Sequence, residues 1–212
     1  MSDGRALILT ITRIEADYLR DLVEQFISLL DDYSDEQPAD GARPSPASPG
    51  AAAIAGAFGG AESKPEDPAL ARLMPDAYEG NDEASADFRR HTENELVERR
   101  VRDARRVLAG LDMSLNEPVT ASASPTVGNT DPEASRAQEP FDVVLDAADG
   151  DAWMRTLAAV RLVVASRLGI ESDEDDTAAR AVDDDGRFGV YDWLGYRLEG
   201  LVQAIDAGDP RE

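Results

Sequence analysis

The sequence predicts a mainly α-helical, single-domain bundle (residues 1–212) with a short two-stranded β-ribbon and two disordered insertions. Three observations carry that expectation. Several long segments repeat apolar residues at helical spacing. A motif of strand, small polar cap and amphipathic helix occurs twice, near residues 6–30 and 141–168. Two stretches rich in Pro, Ala, Gly and Ser, 34–66 and 117–139, have too little large apolar surface to offset their ordering entropy.

Residues 5–12 (RALILTIT) are rich in β-branched side chains and read as a strand. Thr12 and Glu15 fit a capping box that opens a helix at about Arg13. Its face is expected to be Tyr18, Leu22, Phe26 and Leu29, flanked by Leu19, Val23 and Leu30. Asp31 and Asp32 oppose the C-terminal dipole and predict fraying there.

Asp67 and Pro68 form an N-cap and first-turn pair for a short helix through Leu70, Leu73 and Met74, ended by Pro75. Another helix begins near Asn81 or Asp82 and carries Phe88. A second Thr/Glu box at Thr92 and Glu95 permits a break or bend at His91. Beyond it Val97, Val101, Ala104, Leu108 and Leu111 form a regular apolar face, with Arg99, Arg102 and Arg106 roughly opposite.

Residues 141–145 (FDVVL) read as the second strand, and Asp146 with Asp149 opens the most apolar helix, 152–170. Trp153, Leu157, Val160, Val164 and Leu168 form its face, while Arg155, Arg161 and Arg167 are expected to reach outward past their own stems. Gly169 and Ile170 supply a C-terminal stop. An acidic loop follows over 171–185. The last helix, about 190–207, carries Tyr191, Leu194, Leu198, Leu201 and Ile205.

Composition excludes more function than it proposes. There is no cysteine, so thiol nucleophiles, thiol switches and cysteine metal sites are absent. Lys64 is the only lysine and lies in an apparent loop, which argues against a P-loop or Schiff-base lysine. His91 is the only histidine, too few for a metal site of imidazoles, and reads as a satisfied structural or surface residue. In the acidic loop, Glu171, Asp173 and Asp175 match calcium-loop positions one, three and five. Asp176 replaces the required glycine and Val182 the closing glutamate. No catalytic, cofactor or metal residue is therefore expected, and the protein is read as a non-enzyme without a cofactor. No apolar run approaches the roughly 20 residues of a membrane span, and a cytoplasmic location is expected.

Three blocks carry a family resemblance: DPALARLMPDAY at 67–78 with the following FRRHTENELVERRVRDARRVL, AWMRTLAAVRLVVASRLGI at 152–170, and VYDWLGYRLEGLVQAI at 190–205. In this order they resemble an actinobacterial family of uncharacterised domains, often encoded beside the ClpS adaptor, that includes the oxidative-stress transcriptional regulator AosR. The resemblance implies a cytoplasmic regulatory module that works on transcription through a protein partner such as a sigma factor. The family's cysteine-based oxidant sensing has no residue here to carry it. The row Arg99, Arg102 and Arg106 is the expected partner contact. The alternative is a small-molecule or metal-binding protein with a pocket among Trp153, Tyr191, Trp193 and Tyr196.

The net charge of −23 opposes direct contact with nucleic acid. Binding to duplex DNA draws on counterions released by Lys and Arg. The purified protein is therefore expected to show no sub-micromolar binding to duplex DNA in an anisotropy titration at physiological salt.

Overall fold

The computed structural model describes residues 6–36, 64–116, 136–172, 175, 177, 180, 186 and 188–206. Its elements in chain order are β1 (Leu7–Thr12), α1 (Arg13–Glu36), α2 (Pro68–Leu73), α3 (Asp82–Asn116), β2 (Pro140–Leu145), α4 (Ala147–Arg167) and α5 (Gly189–Asp206). The protein is mainly α, with a single two-stranded antiparallel ribbon among the described residues.

The chain divides into two compact units: Met1–Phe26, Arg102–Arg161 and Gly189–Glu212 form the first, Ile27–Val101 and Leu162–Phe188 the second. The first unit contains the ribbon. Leu7 pairs with Leu145, Leu9 with Val143 and Ile11 with Phe141, so alternate residues share one face. Ile11, Val143 and Leu145 are buried on the inner face, together with Leu19, Val23 and Phe26 of α1, Val107 and Leu111 of α3, and Leu194 and Leu201 of α5.

Trp153 of α4 is fully buried in this unit. Its indole lies over Gly110 of α3, where an added Cβ would come within 3.5 Å of the ring. Gly150 is tighter still: a Cβ there would stand 2.6 Å from Leu7 Cδ1, so the first turn of α4 rests directly on the ribbon. Asp146 opens that turn, its Oδ1 accepting from Asp149 N at 2.8 Å.

In the second unit Asp67 caps α2, its Oδ1 accepting from Ala69 N at 2.7 Å and Leu70 N at 3.3 Å. Leu70, Leu73 and Met74 are buried, as are Leu30 and Tyr33 of α1, Val97 and Val101 of α3, and Ile170. Gly169 adopts φ +74°, and Ile170 N returns to Ala165 O at 2.9 Å, the expected helix stop.

Several expectations are corrected. The buried face of α1 is Ala16, Leu19, Val23, Phe26, Leu30 and Tyr33, while Tyr18 is exposed and Leu22 and Leu29 are half-buried. The helix does not fray at Asp31 and Asp32 but runs to Glu36. Tyr33 holds that last turn: its hydroxyl donates to the buried carboxylate of Glu93 at 2.6 Å. α3 is continuous through His91, because Thr92 Oγ1 donates to Phe88 O at 2.9 Å instead of capping a new helix.

The arginines of α4 do not simply reach into water. Arg155 grips Asp103 through two nitrogens at 2.8 and 3.3 Å, a hydrogen-bonded pairing that raises the arginine pKa further. Arg161 lies 4.0 Å above the Tyr191 ring. Most of 34–66 and 117–139 lies outside the described residues. At their margins, 34–36 are helical, Pro65 is buried, and Glu139 O accepts from Arg13 N.

Three buried polar atoms in the first unit, Trp153 Nε1, Thr156 Oγ1 and Arg197 Nε, have no hydrogen-bond partner among the described residues. Trp153→Ala should cost about 3–5 kcal/mol in a denaturant melt because it empties the core beside Gly110. Thr156→Val should be neutral or stabilising, since it replaces an unpaired hydroxyl with a methyl group of the same shape.

Candidate interaction surface

The most elaborate polar constellation in the first unit starts at the Thr12–Glu15 capping box. Thr12 N donates to Glu15 Oε2 at 2.9 Å, Thr12 Oγ1 donates to the same oxygen at 3.0 Å, and Glu15 N donates back to Thr12 Oγ1 at 3.3 Å. The other oxygen, Oε1, faces α5. It accepts from Trp193 Nε1 at 2.9 Å and from Arg197 Nη2. A second Arg197 nitrogen donates to Thr10 O at 3.1 Å. One glutamate thus joins the end of β1, the start of α1 and the middle of α5.

Electrostatics follow from that geometry. Burial works to raise the Glu15 pKa, but the Thr12 backbone N–H, the Arg197 and Trp193 hydrogen bonds and the Arg197 charge outweigh it. Together they bring the value down from 4.5 to about 2.

Around this polar centre the surface is aromatic. Trp193 meets Tyr18 edge-on, with ring centroids 6.0 Å apart. The Arg197 guanidinium carbon lies 6.0 Å from the Trp193 ring and 5.6 Å from the Tyr196 ring. Tyr18 and Tyr196 are exposed, the latter at 70%, and Ile14, one turn before Tyr18, is exposed as well. Beside them an open recess of about 310 Å³ is lined by Leu9, Tyr196, Arg197, Glu199, Gly200 and Gln203.

A family model described as Domain of unknown function (DUF2017) matches residues 1–205. The chain belongs to this family. No curated protein and no solved structure matches it. The matched span of this DUF2017 chain includes Glu15, Trp193, Tyr196 and Arg197.

The residues singled out from the sequence fall elsewhere. Arg99, Arg102 and Arg106 are exposed on α3, but Arg106 lies 3.8 Å from Asp149 and Arg102 is also engaged. The four aromatics proposed to line a pocket do not gather. Trp153 is in the core, Tyr191 sits beneath Arg161, Trp193 is half-buried, and of the four only Tyr196 borders the recess. His91 is exposed, its Nδ1 2.7 Å from Asp87 O. Among the described residues no group of three His, Asp or Glu side chains converges as a metal ion requires. No described helix is long and apolar enough to cross a membrane.

Glu15 was visible in the sequence as a capping residue, but its link to α5 was not. Arg197 lies 182 residues away and shares no local motif with it. The depressed Glu15 pKa has a definite sign. A carboxyl group held at about 2 when folded and 4.5 otherwise contributes stability above pH 4.5 and loses it as pH falls toward 2. Replacing it in Glu15→Gln should cost roughly 2–3 kcal/mol at pH 7. The gap between the two proteins should shrink as pH falls through that window, in denaturant melts at each pH.

Proposed function

We propose that this protein is a non-catalytic regulatory module that acts by binding a protein partner in the cytoplasm. One observation carries the reading: a surface cluster of exposed Ile14, Tyr18 and Tyr196 with half-buried Trp193, gathered near Arg197 on the first unit. Tyr, Trp and Arg are the residues that dominate binding energy at protein interfaces, because each buries a large rigid surface with a polar tip. Here Trp193 and Arg197 are already held by Glu15, so they lose little side-chain freedom on docking.

The resemblance of the 67–78, 152–170 and 190–205 blocks to the actinobacterial family of AosR supports transcription machinery, a sigma factor in particular, as the partner class. The strongly acidic surface supports a basic partner face and salt-sensitive association. A cysteine-thiol switch is no part of this reading, since the chain has no cysteine. Arg99, Arg102 and Arg106 are secondary in this reading, because an arginine already facing a carboxylate has less to offer a partner.

A second reading, a small-molecule binder, draws on the recess beside Tyr196, whose 310 Å³ lies at the lower end of ordinary ligand pockets. A thermal-shift screen against metabolites tests it: a saturable rise in melting temperature, abolished by Gly200→Leu, would favour it.

The principal test is a pull-down from native cytoplasm. Tyr18→Ala with Tyr196→Ala should remove the partner while shifting stability by about 1 kcal/mol or less, since both rings are exposed. Retention of the partner by that variant, with loss in a triple alanine variant of Arg99, Arg102 and Arg106, would move the contact to α3.

A further inference from the structure

The two edges of the β-ribbon are chemically unlike. Arg13 N donates to Glu139 O at 3.3 Å, which extends the register in which Leu9 faces Val143 and Ile11 faces Phe141. Those odd-numbered residues of β1 are therefore the ones that exchange hydrogen bonds with β2. The even-numbered residues, Ile8, Thr10 and Thr12 on β1 and Val144, Asp142 and Pro140 on β2, turn their backbone groups outward.

On β1 this outward edge is already occupied. Thr10 O accepts from Arg197 and Thr12 N donates to Glu15. On β2 the described residues provide no such cover. Among the described residues the sheet ends at this strand, and Asp142 and Val144 are exposed, Val144 at 63%. Ile8, directly across from Val144, is 62% exposed on the same face. An uncovered strand edge with apolar side chains beside it is a template for another strand.

The charges around this edge select its occupant. Between Arg136 and Arg155 the chain carries Glu139, Asp142, Asp146, Asp149 and Asp151 and no basic residue. Asp142, in the middle of the edge, is exposed and accepts from Thr10 Oγ1 at 2.6 Å. A second copy of the chain would bring two such acidic strands together, and like charges across a strand pair are unfavourable.

We infer that the outer edge of β2 accepts an extended segment of a partner protein as a third strand. That segment carries Lys or Arg two residues away from a β-branched apolar residue, so that both fall on the face shared by Asp142 and Val144, its cation set against Asp142 and its apolar side chain against Val144. Backbone hydrogen bonds to Asp142 and Val144 supply the docking, and the two side chains supply the choice of sequence. This rests on the reading of the protein as an interaction module, but not on the aromatic surface around Arg197, which lies along the other edge of the ribbon.

The probe is a fluorescent peptide of repeating Lys-Thr-Val-Thr, which puts lysine and valine on one face of a strand, titrated against the full chain by anisotropy, with amide hydrogen exchange followed on the complex. Slowed exchange at Asp142 and Val144, together with weak or no binding of an equally charged lysine–proline peptide, is the expected result. Asp142→Lys should weaken binding by about tenfold or more, as an attraction becomes a repulsion. Val144→Pro removes an outward N–H without touching the ladder to β1, and should abolish binding while the circular dichroism spectrum is retained. If that variant unfolds, the exchange data on the native chain and Asp142→Lys still decide.

Equal binding of the proline peptide, or no protection of β2 amides, overturns the inference. So does a dimer in sedimentation that Val144→Pro dissolves, since a second copy would then hold the edge. Loss of the cytoplasmic partner in the Tyr18, Tyr196 variant with no peptide binding would leave the interaction reading standing and remove only the strand.

Discussion

Four hydrogen bonds converge on the carboxylate of Glu15, from Thr12 N, Thr12 Oγ1, Trp193 Nε1 and Arg197 Nη2. A carboxylate is suited to this position because its two oxygens offer about four acceptor directions and no donor that must be satisfied. Without it, the Trp193 N–H and an arginine on α5 lose their shared acceptor, and α1 loses half of its N-terminal cap. Glu15 joins elements from opposite ends of the chain in the first unit.

Much of the fold was legible in the sequence because much of it is local. The strands at Leu7–Thr12 and Pro140–Leu145, the caps at Thr12, Asp67 and Asp146, and the stop at Gly169 are written in neighbouring residues. What periodicity missed was polar burial. Arg89, Glu93 and Asp103 occupy the buried side of α3 with Val97, Val101 and Val107. Each is there because a distant group receives it: Asp76 for Arg89, the Tyr33 hydroxyl for Glu93, and Arg155 for Asp103. A stripe drawn from apolar residues alone cannot see such pairs, so the predicted face of α1 was turned toward Tyr18 and away from Tyr33. The candidate site was legible only in part, since tyrosine and tryptophan near a helix start read equally well as core.

The arginines explain why so acidic a protein holds together. Many of them bind the protein itself: Arg155 to Asp103, Arg167 to Asp67, Arg197 to Glu15 and Thr10 O, and Arg72 and Arg100 to main-chain carbonyls. The planar guanidinium is fitted to such forked contacts in a way an ammonium is not. With this much positive charge committed internally, excess carboxylates dominate what a partner meets. Aromatic rings with an acidic surround are then a more consistent contact than a basic helix face.

The seating of α2 has a consequence for the length of the chain before it. That helix of six residues is moored at both ends by groups far away in sequence. Arg167 reaches the capping carboxylate of Asp67 at 2.7 Å, Arg72 donates to the Ile170 carbonyl at 2.5 Å, and Arg100 donates to the Leu73 carbonyl at 2.8 Å. None of these tethers passes through residues 37–63. The cost of closing a loop grows only with the logarithm of its length, about 0.6 kcal/mol for each doubling. The three tethers that seat α2 are therefore expected to survive a change in the length of the chain between α1 and α2.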